Sequence, residues 1–105
     1  MKTFYGGTYI GKEILARNHI YHPVRLEYYK IETEENIGTF YGIEVVKTEY
    51  KTEEPEVETN KVEHVTMEET KIDNMLEKFK EGTVMPDVLE EMVEEQFQEK
   101  EELCY

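Results

Sequence analysis

The spacing of apolar residues changes once along this chain, and that change limits the folds open to it. Val24, Leu26 and Tyr28 fall on one side of an extended backbone and Arg25, Glu27 and Tyr29 on the other, while Tyr41, Ile43 and Val45 alternate with Gly42 and Glu44. Alternation of this kind belongs to strands with one buried face. Beyond Thr66 the spacing lengthens. Ile72, Met75, Leu76 and Phe79 stand at i, i+3, i+4 and i+7, the stripe of a helix that packs on one side. Strands followed by helices predict an α+β fold. The expected form is an antiparallel β-meander of three to five strands over about residues 3–65, packed by two C-terminal α-helices over about 67–81 and 86–102. A chain of 105 residues can bury one modest core but not two, so residues 1–105 are expected to form a single domain.

Punctuation residues set the expected boundaries. Thr3–Ala16 reads as a strand or hairpin eased by Gly6, Gly7 and Gly11, and Glu34-Glu35-Asn36 as a turn into Gly38–Tyr50. Lys51–Asn60, rich in Glu and holding Pro55, reads as an exposed acidic loop or the frayed end of a long hairpin, with Lys61–Val65 a short returning strand. Thr66-Met67-Glu68-Glu69 has the form of a capping box, and Gly82 stands where a left-handed cap would close that helix. Pro86 suits the first position of a second helix. On it Val88, Leu89, Met92, Val93 and Phe97 occupy one half of the circumference, and Asp87, Glu90, Glu91, Glu94, Glu95, Glu101 and Glu102 the other. Thr-Phe-Tyr-Gly occurs at residues 3–6 and again at 39–42, which reads as two similar strand-to-bulge positions.

Charge narrows the function classes. The net charge is −13, divided unevenly: residues 1–30 hold five basic and two acidic side chains, net +3, and residues 31–105 hold seven basic and 23 acidic, net −16. Such a field repels nucleic acid and anionic membrane and steers the protein toward basic surfaces. A protein partner with a basic surface is therefore expected, with no direct nucleic-acid or membrane binding. No apolar run approaches the roughly 20 residues needed to cross a bilayer. The N-terminus shows no apolar secretory stretch, and the single Cys104 offers no internal disulfide, so a cytoplasmic location is expected.

Sites for chemistry are poorly supplied. Gly6-Gly7-Thr8-Tyr9-Ile10-Gly11-Lys12-Glu13 approaches a phosphate-binding loop, but Glu13 stands where a magnesium-holding hydroxyl belongs, and its charge opposes phosphates. His19 and His22 form an H-x-x-H pair with only the distant His64 and Cys104 to complete a metal site, so no metal or cofactor is expected. His64 reads as a partly exposed strand residue. The chain contains no serine, and its one cysteine lies in the tail. The many glutamates fall on polar faces, whereas an acid–base pair needs burial to separate two pKa values. An enzyme is not expected.

The reading that follows is a non-enzymatic acidic protein-binding module, a regulator or inhibitor of a protein partner. Its acidic face comprises Asp87, Glu90, Glu91, Glu94 and Glu95 with Glu53 and Glu54, and its aromatic anchors are Tyr28, Tyr29 and Tyr41, with Tyr5 and Tyr9 also suited. One alternative is a phage-type inhibitor that imitates nucleic-acid phosphates in the groove of a restriction or CRISPR nuclease. Another is a small anionic ligand binder using Lys12, Arg17 and Arg25.

Tyr41-Gly42-Ile43, a capped helix, and then the run Val84-Met85-Pro86-Asp87-Val88-Leu89-Glu90-Glu91-Met92-Val93-Glu94-Glu95 resemble a family of small bacterial proteins of unknown function. The family's last helix carries Val-x-Pro-x-x-Leu-x-Asp-Val-Ile-Glu-Asp. This chain keeps Val84, Pro86, Leu89 and Glu94 and departs at Glu91, Met92, Val93 and Glu95. The resemblance covers about the last two thirds of the chain and implies an α+β domain with no known activity.

Overall fold

In the computed structural model, residues 1–10, 22–51 and 53–102 are described, with side chains of the last helix as far as Phe97. Four strands, β1 (Lys2–Ile10), β2 (Val24–Glu35), β3 (Gly38–Tyr50) and β4 (Pro55–Thr66), precede helix α1 (Glu69–Glu81), a 3-10 turn at Pro86–Val88, and helix α2 (Leu89–Glu102). The strands form one antiparallel meander in the order β1-β2-β3-β4. The expected α+β architecture is present.

Register divides the side chains between two faces. Tyr28 stands opposite Val45, Lys30 opposite Ile43, and Ile43 opposite Val62, so these residues share one face. Against it pack Ile72, Met75, Leu76 and Phe79 of α1, then Val84, and Leu89 and Val93 of α2. The opposite face carries Lys2, Phe4, Gly7 and Tyr9 of β1 beside Ile31, Tyr29, Glu27 and Arg25 of β2, and no helix covers it among the described residues. The molecule is accordingly only 17 Å thick, one sheet and one layer of helix.

Both copies of Thr-Phe-Tyr-Gly sit at irregularities of register. In β1, Phe4 pairs with Tyr29 and Gly6 with Tyr28, which leaves Tyr5 as the extra residue and turns it toward α1. Between β3 and β4, Tyr41 pairs with Thr66 and Ile43 with Val62, so β4 bulges opposite Gly42, with His64 at φ 55°. A side chain at Gly42 would put its Cβ 2.4 Å from the Val62 carbonyl oxygen, so this approach of two backbones requires glycine.

Several expected boundaries shift. The acidic segment 51–60 is mostly strand, because β3 and β4 pair out to Tyr50 and Pro55 and only residues 51–54 lie between them. Proline is tolerated at that first strand position on an outer edge. The capping box does not form. Thr66 remains in β4, its hydroxyl accepts from the Glu68 N–H at 3.1 Å, and the N-cap moves to Glu68, which makes no side-chain cap. At the other end Gly82 has φ −83°, and the left-handed residue is Thr83 at φ 50°. Val84 N–H donates to Phe79 O at 2.9 Å and Thr83 N–H to Lys80 O at 3.2 Å, the double bond of a Schellman ending, with Val84 and Phe79 both in the core. Val88 and Phe97, expected on the packed side of the second helix, are exposed.

Tyr28 ties the layers together. It is fully buried, and its hydroxyl donates to the Val84 carbonyl at 2.9 Å. Burial pushes its pKa well above the usual tyrosine value. Replacing Tyr28 with Phe should lower stability by about 1–2 kcal/mol, since it leaves a buried carbonyl without a donor. Thr83→Gly should act oppositely, raising the urea midpoint by an amount equivalent to about 0.5–1 kcal/mol, because a β-branched residue is strained at positive φ and glycine is not.

Candidate functional site

Two surfaces stand out, on opposite sides of the molecule. The first is the outer side of α2. Leu89 and Val93 are buried against the core and fix the helix, while Asp87 in the preceding turn and Glu90, Glu91, Glu94 and Glu95 face solvent. The turn itself is held by the Asn60 side-chain amide of β4, which donates to the Pro86 carbonyl at 3.0 Å. None of the five carboxylates has a cationic partner among the described residues.

About half of the described acids elsewhere have a cationic partner. Glu44 bonds Lys2 at 2.7 Å, Lys30 reaches both Glu69 and Asp73 at 3.1 Å, Lys51 pairs with Glu56 and Lys47 with Glu58. Lys30 lies beneath the start of α1. Burial opposes its charge, but the hydrogen bonds to Glu69 and Asp73 outweigh burial and raise its pKa. The Lys51 ammonium holds the Glu56 carboxyl below the usual range.

The second surface is the uncovered face of the sheet. Tyr29 is half-buried there, edge-on to Phe4 with ring centroids 5.5 Å apart, under the Lys2 ammonium, and donating to Glu27 at 2.6 Å. That hydrogen bond to a carboxylate raises the Tyr29 pKa. Phe4 is 52% exposed and Tyr9 63% exposed. Together with Gly7, Thr8, Arg25 and Tyr50 they border a hollow of about 600 Å³. Gly7 lines the hollow with bare backbone, and a Cβ there would stand 2.9 Å from the Leu26 carbonyl oxygen.

The expected site residues do not gather in one place. Asp87, Glu90, Glu91, Glu94 and Glu95 form one continuous stripe, but Glu53 and Glu54 border a separate concavity with His22 and Lys51, to which α2 contributes nothing. The three anchor tyrosines go to three environments. Tyr29 belongs to the uncovered face. Tyr41 is half-buried on the helix side, 6.0 Å from the Lys30 ammonium. Tyr28 is corrected from anchor to core residue, because pairing opposite Val45 aims it under the helices. Of the hollow's rim, Phe4 and Tyr50 were not among the expected residues, whereas Arg25 was expected only as a cation for a small anionic ligand. The rim's signal in the sequence is the absence of charge from Thr3 to Ile10.

Gly6–Ile10 of the loop-like glycine segment lie within strand β1, where the backbone pairs with β2 and does not curl around a phosphate. Lys12, Glu13, Arg17, His19 and Cys104 lie outside the described residues. Among the described residues no three His, Cys, Asp or Glu side chains stand in metal-holding geometry. None of the described helices is long and apolar enough to cross a membrane.

A family model matches residues 13–99, from before β2 into the last turns of α2. The chain belongs to the family of unknown function DUF6514. Comparison with curated proteins gives no match, and comparison with solved structures gives none either. In this DUF6514 chain the apolar positions of the signature, Val84, Pro86 and Leu89, are all buried, so that motif joins α1 to α2 and packs them on the sheet. Strand β1 lies outside the matched stretch.

Tyr5, turned toward α1 by its bulge, donates to Glu77 at 2.5 Å, and this bond together with burial raises its pKa from 10.0 to about 12. A phenol whose folded pKa is raised contributes stability that is complete below its unfolded pKa and is lost as pH rises through the folded one. Stability should therefore decline between about pH 10 and 12. In Tyr5→Phe that decline, followed by urea midpoints, should be shallower.

Proposed function

We propose that this chain is a non-enzymatic binding module that docks a basic protein surface through the outer side of α2. The observation that carries the reading is the contrast in pairing. Lysines neutralise much of the acidity on the sheet and at the start of α1, whereas Asp87, Glu90, Glu91, Glu94 and Glu95 are exposed and lack cationic partners among the described residues. A rigid helix presenting unneutralised carboxylates has a ready complement in lysines and arginines of another protein, and the long-range field would speed encounter. Acidic side chains on the outside of a helix also aid solubility, so the test must separate specific docking from general charge.

A narrower form makes the partner a nucleic-acid enzyme whose groove the stripe occupies, with the protein as its inhibitor. The broad reading requires only a basic patch. In both, binding is electrostatic and weakens as salt screens it.

The test uses the full chain as bait in quantitative pull-downs, compared with the quadruple variant Glu90→Gln, Glu91→Gln, Glu94→Gln, Glu95→Gln. The expected result is a set of basic proteins captured by the wild type, depleted about tenfold or more by the variant, and released as ionic strength rises from low to physiological. Displacement of a captured protein by duplex DNA would favour the nuclease form. Equal capture by wild type and variant would remove the reading.

A further inference from the structure

The two edges of the sheet are guarded differently. An edge strand presents a row of N–H and C=O groups that can template pairing with another chain, and charges, prolines and bulges on the strand prevent it. β4 has all three: Pro55 at its start, Glu56, Glu58, Lys61 and Glu63 along it, and the bulge at His64. β1 has only its bulge at Tyr5. From Thr3 to Ile10 it is uncharged in a chain of which 35% is charged, and among the described residues no strand pairs with its outer side.

We propose that β1 pairs with β1 of a second copy of this chain, antiparallel about a two-fold axis through Thr8, so that two four-stranded sheets become one. Antiparallel pairing brings together residues that point to the same face and offer hydrogen-bonding groups in the same direction, which requires an axis through a residue. An axis through Thr8 uses Gly6–Ile10, the part of β1 beyond the bulge. It sets Thr8 opposite Thr8, Gly6 opposite Ile10, and Gly7 opposite Tyr9. Tyr9, the most exposed aromatic of the uncovered face, then stands over Gly7 of the other copy, where the hollow of about 600 Å³ is open beside Phe4, Arg25 and Tyr50. An aromatic ring laid across an edge glycine is a known way to stabilise strand pairing. Each copy supplies one ring and one hollow, so the contact is made twice and closes.

Charge favours this edge over the other. Two chains of net charge −13 repel each other, and α2 with its carboxylates packs on the β4 side of the sheet. The charged groups beside β1 have both signs: Lys2, Arg25, Lys30 and Lys80 with Glu27, Asp73, Glu77 and Glu81. Pairing through β1 keeps the acidic helices apart. A second copy fits better than a foreign strand because β1 contains both halves of the contact. The surface is separate from the outer side of α2, and the inference stands or falls without the docking reading.

Sedimentation of the full chain across a concentration series should show a monomer–dimer equilibrium, and Tyr9→Lys should weaken it by about tenfold or more. Circular dichroism at low concentration checks that this variant keeps the fold. In a Cys104→Ala background, Thr8→Cys should yield a covalent dimer under mild oxidation, because residues facing each other across an antiparallel pair are within disulfide reach, while Thr3→Cys should not. A monomer at every concentration, a dimer indifferent to Tyr9→Lys, or cross-linking as fast through Thr3→Cys as through Thr8→Cys would each overturn the proposal.

Discussion

The hydrogen bond from the Tyr28 hydroxyl to the Val84 carbonyl spans the core from the middle of the sheet to the link between the helices. Much of the architecture depends on it. Tyr28 sits in the middle of the meander, opposite Gly6 of β1 and Val45 of β3, and is fully buried beneath the helices. Val84 is fixed by the Schellman ending of α1, which turns the chain back so that Pro86 and Leu89 bury beside it. A polar group inside a small core thus specifies where the helical layer sits on the sheet, something apolar contacts alone leave loosely determined.

What could be read from the sequence follows from where burial dictates side-chain type. β2 and α1 are legible because one side of each is buried along its length: Val24, Leu26 and Tyr28 in the strand, and Ile72, Met75, Leu76 and Phe79 in the helix. The first half of β4 is not, since Glu56, Val57, Glu58 and Thr59 extend beyond the helices and are exposed on both faces, and a strand wet on both sides has no apolar alternation to show. The ends of α1 shifted by one or two residues for tertiary reasons. Pairing with Tyr41 keeps Thr66 in the strand, and the Schellman geometry places positive φ on Thr83 in spite of the glycine beside it.

The candidate surfaces were legible in unequal measure. Carboxylates on one side of α2 follow from helical spacing alone, and the structure exposes them. Tyrosines are harder, because the residue type suits a core, an interface or a half-buried edge, and only register decides. Tyr28 and Tyr29 are neighbours in sequence yet lie on opposite faces. Lys30 likewise looks like an ordinary surface lysine until β2 brings it beneath Glu69 and Asp73.

The hollow at Gly7 differs in kind from the rest of the surface. Its rim is built of side chains, but its floor is main chain, with the Leu26 carbonyl too close for any Cβ. Drift in sequence can resculpt the rim, exchanging one ring or cation for another, while the floor admits no substitution that leaves the strands where they are. The indentation therefore belongs to the backbones of β1 and β2 and survives changes in the side chains that border it.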